Sequence, residues 1–201
     1  MSAPGSVPEF ANPLPSGLVA LAMVCFGFFA LFTGQVSPAC VPILAVWLMG
    51  GFLIQIIVAW IEFKEKNNNG SNLFLIFSVI FMGVGGGSAL MKYFLKSAGL
   101  PFDPTIEGWL WIAPAIWVWV MTIGFLKAPK SLFILGIFLC AALPFLIALD
   151  MGLQGDRKFW ALFIGYDLLV AACIATYIAS ATTLNLGFGK QILPLGAPII
   201  K

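Results

Sequence analysis

The sequence predicts an all-α integral membrane protein with six transmembrane helices per subunit, and three observations predict it. Of its 201 residues, 61% are hydrophobic and only 9% are charged, against about 25% charged and about 45–50% apolar in an ordinary soluble domain. A mean hydropathy of +1.05 leaves too little polar surface to face water, so the excess apolar surface has to face lipid. Six apolar stretches approach the roughly 20 residues that an α-helix needs to cross the hydrocarbon core.

Residues 1–16 read as an irregular N-terminal tail, residues 17–186 as the six-helix membrane domain, and residues 187–201 as a C-terminal tail. The N-terminal tail holds Pro4, Pro8, Pro13 and Pro15 and no Lys or Arg. A signal peptide has a basic leading region, so the first span is expected to be retained. That span runs from Gly17 to Thr33 and the second from Ala39 to Ile61. Glu62 through Gly70 stops the second with charge, amides and a glycine breaker. The third covers Asn72 to Phe94, and Pro101, Asp103 and Pro104 mark the longest loop. The fourth runs from Gly108 to Leu126, and Lys127 to Lys130 is a tight connection. The fifth covers Leu132 to Leu149, bounded by Asp150 and the turn from Gly155 to Lys158. The sixth begins near Phe159 and fades at Asn185.

Six spans place both termini on one side. Lys64, Lys66, Lys127, Lys130, Lys190 and Lys201 lie there, against Lys92, Lys96, Arg157 and Lys158 on the other. The positive-inside rule then puts both termini in the cytoplasm of a multi-pass cell-membrane protein. The chain has no histidine, which removes histidine triads, HExxH zinc sites and haem-proximal ligation. Cys25, Cys40, Cys140 and Cys173 lack CxxC spacing and read as small hydrophobes or free thiols. No enzyme activity, metal or cofactor is expected, and a net charge of +2 does not suggest nucleic acid.

Small residues recur where helices meet closely in lipid: Gly50 and Gly51, the run from Gly83 to Gly87, and Ala171, Ala175 and Ala179. They serve packing within the subunit, a subunit contact, or a smooth pathway wall.

Few polar groups are deep. Asp167 lies about nine residues into the sixth span, roughly 13 Å at 1.5 Å per residue, with no basic residue inside a span to pair with. An acid there is protonated, hydrogen-bonded or facing water. It is either a proton-handling residue or a packed acid bonded to a neighbour such as Tyr166. Gln55 and Glu62, seven residues apart, share one helix face. Each reads either as a pathway group or, respectively, as a packing hydrogen bond and a solvated helix end.

Three motifs carry a resemblance. Ala11-Asn-Pro-Leu-Pro-Ser-Gly-Leu18 precedes the first span. Gln55-Ile-Ile-Val-Ala-Trp-Ile-Glu-Phe-Lys64, followed by Gly70, closes the second. Phe188-Gly-Lys-Gln-Ile-Leu-Pro-Leu-Gly196 follows the last. Together they resemble the signatures of the acetate uptake transporter family, over essentially the whole chain. Leu14 stands where the family has alanine, and Ser16 where it has leucine. The resemblance implies six-helix subunits in a ring homo-oligomer, usually a hexamer, passing acetate and related short monocarboxylates, sometimes succinate. It also implies a constriction at Leu21, Phe77 and Leu139. The family has phenylalanine and tyrosine at the first two of these positions, so the constriction here is expected to be drier. Asp167 has no counterpart in the family's pattern.

The physical demands of such a pathway can be stated independently. An apolar constriction passes the methyl of acetate but penalises its desolvated charge. Amides and helix N-termini on either side have to compensate. Asn12, Ser16 and Gln55 are the candidates, with Glu62 on the same face as Gln55. The competing reading is a channel for a small neutral or cationic solute such as urea or ammonia, which Glu62 and Asp167 would suit.

Overall fold

The structure, a computed structural model, describes residues 10–200. Pro4, Pro8 and Lys201 lie outside the described residues. Six helices are long and apolar enough to cross a membrane: α1 (Leu14–Phe32), α2 (Pro38–Lys64), α3 (Asn68–Ser97), α4 (Ile106–Lys127), α5 (Lys130–Asp150) and α6 (Arg157–Phe188). No strand occurs among the described residues.

The helix ends differ from the sequence expectation for local reasons. The first helix begins at Leu14, ahead of Gly17, because Pro13 and Pro15 occupy its first turn. Proline there lacks only an N–H that would be unpaired anyway. Asn12 Oδ1 accepts from the Leu14 backbone N–H at 3.0 Å and closes that end. The third helix starts on Asn67, which accepts from Gly70 N at 3.2 Å. It also runs on to Ser97, past the expected end at Phe94, which brings Lys96 within the helix as well as Lys92. The sixth starts on Asp156, which accepts from Phe159 N at 2.9 Å, and ends at Gly189, with φ of 61°. That left-handed step is the usual glycine stop.

α6 lies along α1 and α5, forming the most extensive packing in the molecule. Ala171 and Ala175 on α6 are wholly buried, and Ala179 nearly so. Without large side chains at that spacing the three backbones approach closely. The glycines do the same between α2 and α3. A methyl group at Gly86 would lie 2.9 Å from Leu48 Cβ, and one at Gly51 would lie 2.7 Å from Met82 Sδ. At these positions the small residues serve packing within the chain, whereas Gly50 has nothing within 4 Å.

Three helices are irregular, each at a place with a cause or a use. α3 is π-helical from Phe77 to Val84. α4 breaks at Trp111 between Ile106–Leu110 and Ile112–Gly124. Pro114 accounts for that break, because it has no N–H for the Leu110 carbonyl four residues back. α5 contains Pro144, which likewise orphans the Cys140 carbonyl. Here a neighbour compensates: Trp119 of α4 donates its indole N–H to that carbonyl at 3.2 Å.

The C-terminal segment folds back on the bundle. Tyr177 OH donates to Pro194 O at 2.7 Å, and Ser131 N donates to Leu195 O at 3.1 Å. Asn185 accepts from both Ile192 N and Leu193 N, and donates to Leu193 O at 2.8 Å. The tail thereby joins the end of α6 to the start of α5.

Candidate functional site

Two cavities enter the bundle. The first, of about 550 Å³, is lined by the entry to α1, the lower halves of α2 and α3, and the α4–α5 connection. Asn12, Gln55, Glu62, Glu65, Asn67, Asn69, Thr122 and Lys127 supply its polar side chains. The second, of about 1130 Å³, is lined from the far end of α1 to the α3–α4 loop and the end of α5. Its polar groups come from Ser88, Lys92, Tyr93, Lys96, Ser97, Glu107, Asp150 and the Trp111 indole, with mostly apolar walls elsewhere. Among the described residues, Leu21, Phe77 and Leu139 alone line both cavities. They come from α1, α3 and α5 and are buried together in the main core cluster, each 8% exposed or less.

α1 delivers its side by helical spacing. Leu14, Leu18 and Leu21 recur at i, i+4 and i+7, so they share one face, and all three line the first cavity. Phe77 stands at the first position of the π-helical stretch of α3. π-helical turns often mark functional positions, and nothing in the sequence periodicity announces this one.

The sequence candidates divide clearly. Gln55 is fully buried, donates Nε2–H to Gly17 O at 2.9 Å and lines the first cavity. Its Oε1 has no partner among the described residues. Glu62 is also buried beside this cavity, its Oε2 accepting from Asn67 Nδ2. A methyl group at Gly70 would come within 2.9 Å of that oxygen, so only glycine leaves the carboxylate its space. Asn12 lines the same cavity, with Oδ1 committed to the α1 cap.

Ser16 is corrected: it is exposed and lines neither cavity. Two residues from both Leu14 and Leu18, it is turned about 200° away from their face.

Asp167 is 8% exposed and also lines neither cavity, and its Oδ2 has no partner among the described residues. Tyr166 does not bond to it, being exposed and packed against Phe29 with ring centroids 5.7 Å apart.

Sequence reasoning missed the second cavity's polar cluster. Lys92 forms an ion pair with Glu107, which also accepts from Ser88. Asp150 accepts from the Trp111 indole N–H at 3.0 Å. The expectation that no basic group reaches the interior fails at this end, because α3 carries Lys92 and Lys96 along the cavity wall. The i, i+4 spacing of those two lysines was the available signal.

Fold and site together define a multi-pass α-helical membrane protein with an apolar junction between two opposed cavities. No family model matches the chain. Curated relatives do: the succinate-acetate/proton symporter SatP of Escherichia coli (strain K12) and that of Shigella flexneri. Each is 24% identical over 198 residues, covering 94% of this chain and 96% of the relative. The solved structure of the bacterial acetate channel SatP superimposes with a TM-score of 0.78 at 21% identity, covering 94% of this chain and all of that one. Both likenesses, in sequence and in fold, support the resemblance to the acetate uptake transporter family.

Proposed function

We propose that this protein carries acetate and related short monocarboxylates across the cell membrane, each subunit providing its own pathway. The observation that supports this most is the meeting of two opposed cavities at Leu21, Phe77 and Leu139 and nowhere else among the described residues. A small molecule crossing the subunit would leave one polar vestibule, pass an apolar girdle and enter another.

The chemistry suits a small anion with an apolar end. Leu21, Phe77 and Leu139 offer dispersion contact to a methyl group and no fixed charge. Gln55 and Asn12 on one side, and Lys92 and Lys96 on the other, offer polar contact to the carboxylate before and after it sheds water. The acids in the vestibules are engaged: Glu62 by Asn67, Glu65 by Phe10 N at 3.1 Å, Glu107 by Lys92 and Ser88, and Asp150 by Trp111. Carboxylates so satisfied repel a passing anion less than free ones would.

The first cavity faces the cytoplasm in this reading, with both termini on that side, following the lysines at that end. Subunits assemble as a ring, as a hexamer, with exposed apolar residues of α2 such as Val46, Trp47 and Trp60 covered by lipid or a neighbour. Succinate is a further substrate. Asp167, in the core of α6 behind the pathway wall, is the one acid placed to take part in proton coupling.

Uptake of labelled acetate into proteoliposomes tests the reading, with labelled urea and methylammonium run alongside. Acetate accumulation above empty liposomes is expected, with neither of the other solutes transported. Passage of urea or methylammonium without acetate overturns it.

A further inference from the structure

We propose that Asp150 is a positioning residue for the constriction: by holding Trp111 it fixes Phe81 and, through Phe81, the ring of Phe77. This rests on the reading of Phe77 as part of the pathway's narrowest point.

The chain of contacts is continuous. The Asp150 carboxylate, at the end of α5, accepts from the Trp111 indole N–H at 3.0 Å. The Trp111 ring packs on Phe81 with centroids 5.1 Å apart, tilted by 37°. Phe81 stacks on Phe77 with centroids 4.6 Å apart and planes 13° from parallel. All four residues line the second cavity, and Phe77 lines the first as well. A polar anchor at the cavity's far end is therefore joined to the constriction by three aromatic rings in contact.

The backbone around these rings is adjustable, which gives the anchor something to hold. Phe77 and Phe81 both belong to the π-helical stretch of α3, and Trp111 lies at the break in α4. π-helical stretches and proline-induced breaks lack the regular i→i−4 ladder that would otherwise fix side-chain direction. Stacked aromatic pairs hold their geometry by dispersion and quadrupole terms, which do not select a single rotation by themselves. A directional hydrogen bond at one end does. Indole offers one donor and no acceptor, so only an acceptor at the Asp150 position can make this contact.

Lys92, Glu107 and Arg157 are the other charges that act on Asp150, so the test has to separate charge from hydrogen bonding. Uptake of acetate and of butyrate is measured in proteoliposomes for four single variants: Asp150→Leu, Asp150→Asn, Trp111→Phe and Phe77→Ala. Asp150→Leu and Trp111→Phe both remove the contact, and each is expected to lower the acetate-over-butyrate preference roughly three- to tenfold, the scale of one hydrogen bond. Asp150→Asn keeps an acceptor and is expected to retain the wild-type preference. In a Phe77→Ala background, Asp150→Leu is expected to add nothing, because the ring it acts on is gone.

Asp150→Asn behaving like Asp150→Leu overturns the proposal, since charge would then be the cause. Additive effects of Asp150→Leu and Phe77→Ala overturn it too. Where Asp150→Leu fails to assemble, Trp111→Phe, which keeps an aromatic ring, decides alone. A Phe77→Ala variant with unchanged preference refutes the pathway reading itself, and is thereby distinguishable from failure of the relay.

Discussion

Gln55 combines two roles in one amide. Its Nε2 ties α2 to the Gly17 carbonyl of α1, while Oε1 is left without a partner beside the first cavity. A buried acceptor of that kind is normally matched by water or a ligand donor. Gln55→Leu is expected to cost about 0.6–2 kcal/mol, the range for interhelical hydrogen bonds in membranes, and to reduce acetate uptake as well. Thermal unfolding in detergent and proteoliposome uptake measure the two effects separately; an unchanged uptake rate would leave Gln55 with packing alone. Leu21 carries a second expectation. Leu21 lines both cavities and a phenylalanine is larger, so Leu21→Phe is expected to depress butyrate uptake more than acetate uptake. Equal loss of both would show that Leu21 does not set the aperture. Asp167 is tested by Asp167→Asn, a near-isosteric change that removes the proton. If Asp167 takes part in coupling, the pH dependence of uptake flattens, and if it is unchanged the residue is a packed acid.

At the scale of the helices, the spans were legible because an apolar run of the right length has one stable form in lipid, the closed helix. Their ends were less so. Pro13 and Pro15 look like breakers in sequence, yet in a first turn they are accommodated. The π-helical stretch at Phe77 and the break at Trp111 were not legible either, since both depend on how α3 and α4 pack. The face each polar residue presents followed from periodicity for Gln55 and Glu62, whereas Ser16 shows the cost of ignoring it. The glycine pattern was legible as close packing but not in its target. The structure now gives that target at Gly86, against Leu48 and the Ala45 carbonyl 3.3 Å from where a methyl group would sit. Gly86→Val is therefore expected to destabilise the α2–α3 pair by about 1–3 kcal/mol through overpacking, read as a lower detergent melting temperature. Gly50→Ala, at an open position, is the control that should leave the melting temperature unchanged.

For the whole molecule, the consequential property is sidedness, because it decides which cavity the substrate meets first. The two ends of the bundle are chemically different. Lys64, Lys66, Lys127, Lys130 and Lys190 gather at the end of the first cavity, and Lys92, Lys96, Arg157 and Lys158 at the other. The charge bias between them is small, so topology depends on few residues and has to be measured. Lys127 lines the first cavity and Lys96 the second, which makes both informative when converted to cysteine. Cys40, Cys140 and Cys173, the native thiols that are not fully buried, would first be replaced by serine or alanine. A membrane-impermeant maleimide is then expected to modify Lys96→Cys in intact cells, and Lys127→Cys only after the membrane is opened. Each adduct would stand in a vestibule the anion has to cross, so each should also lower acetate uptake, from opposite faces. Labelling of both sites from the same face would break the two-vestibule pathway. Reversed labelling would keep the pathway and invert its orientation, placing the Gln55 vestibule outside and the Asp150–Trp111 anchor within the cytoplasm.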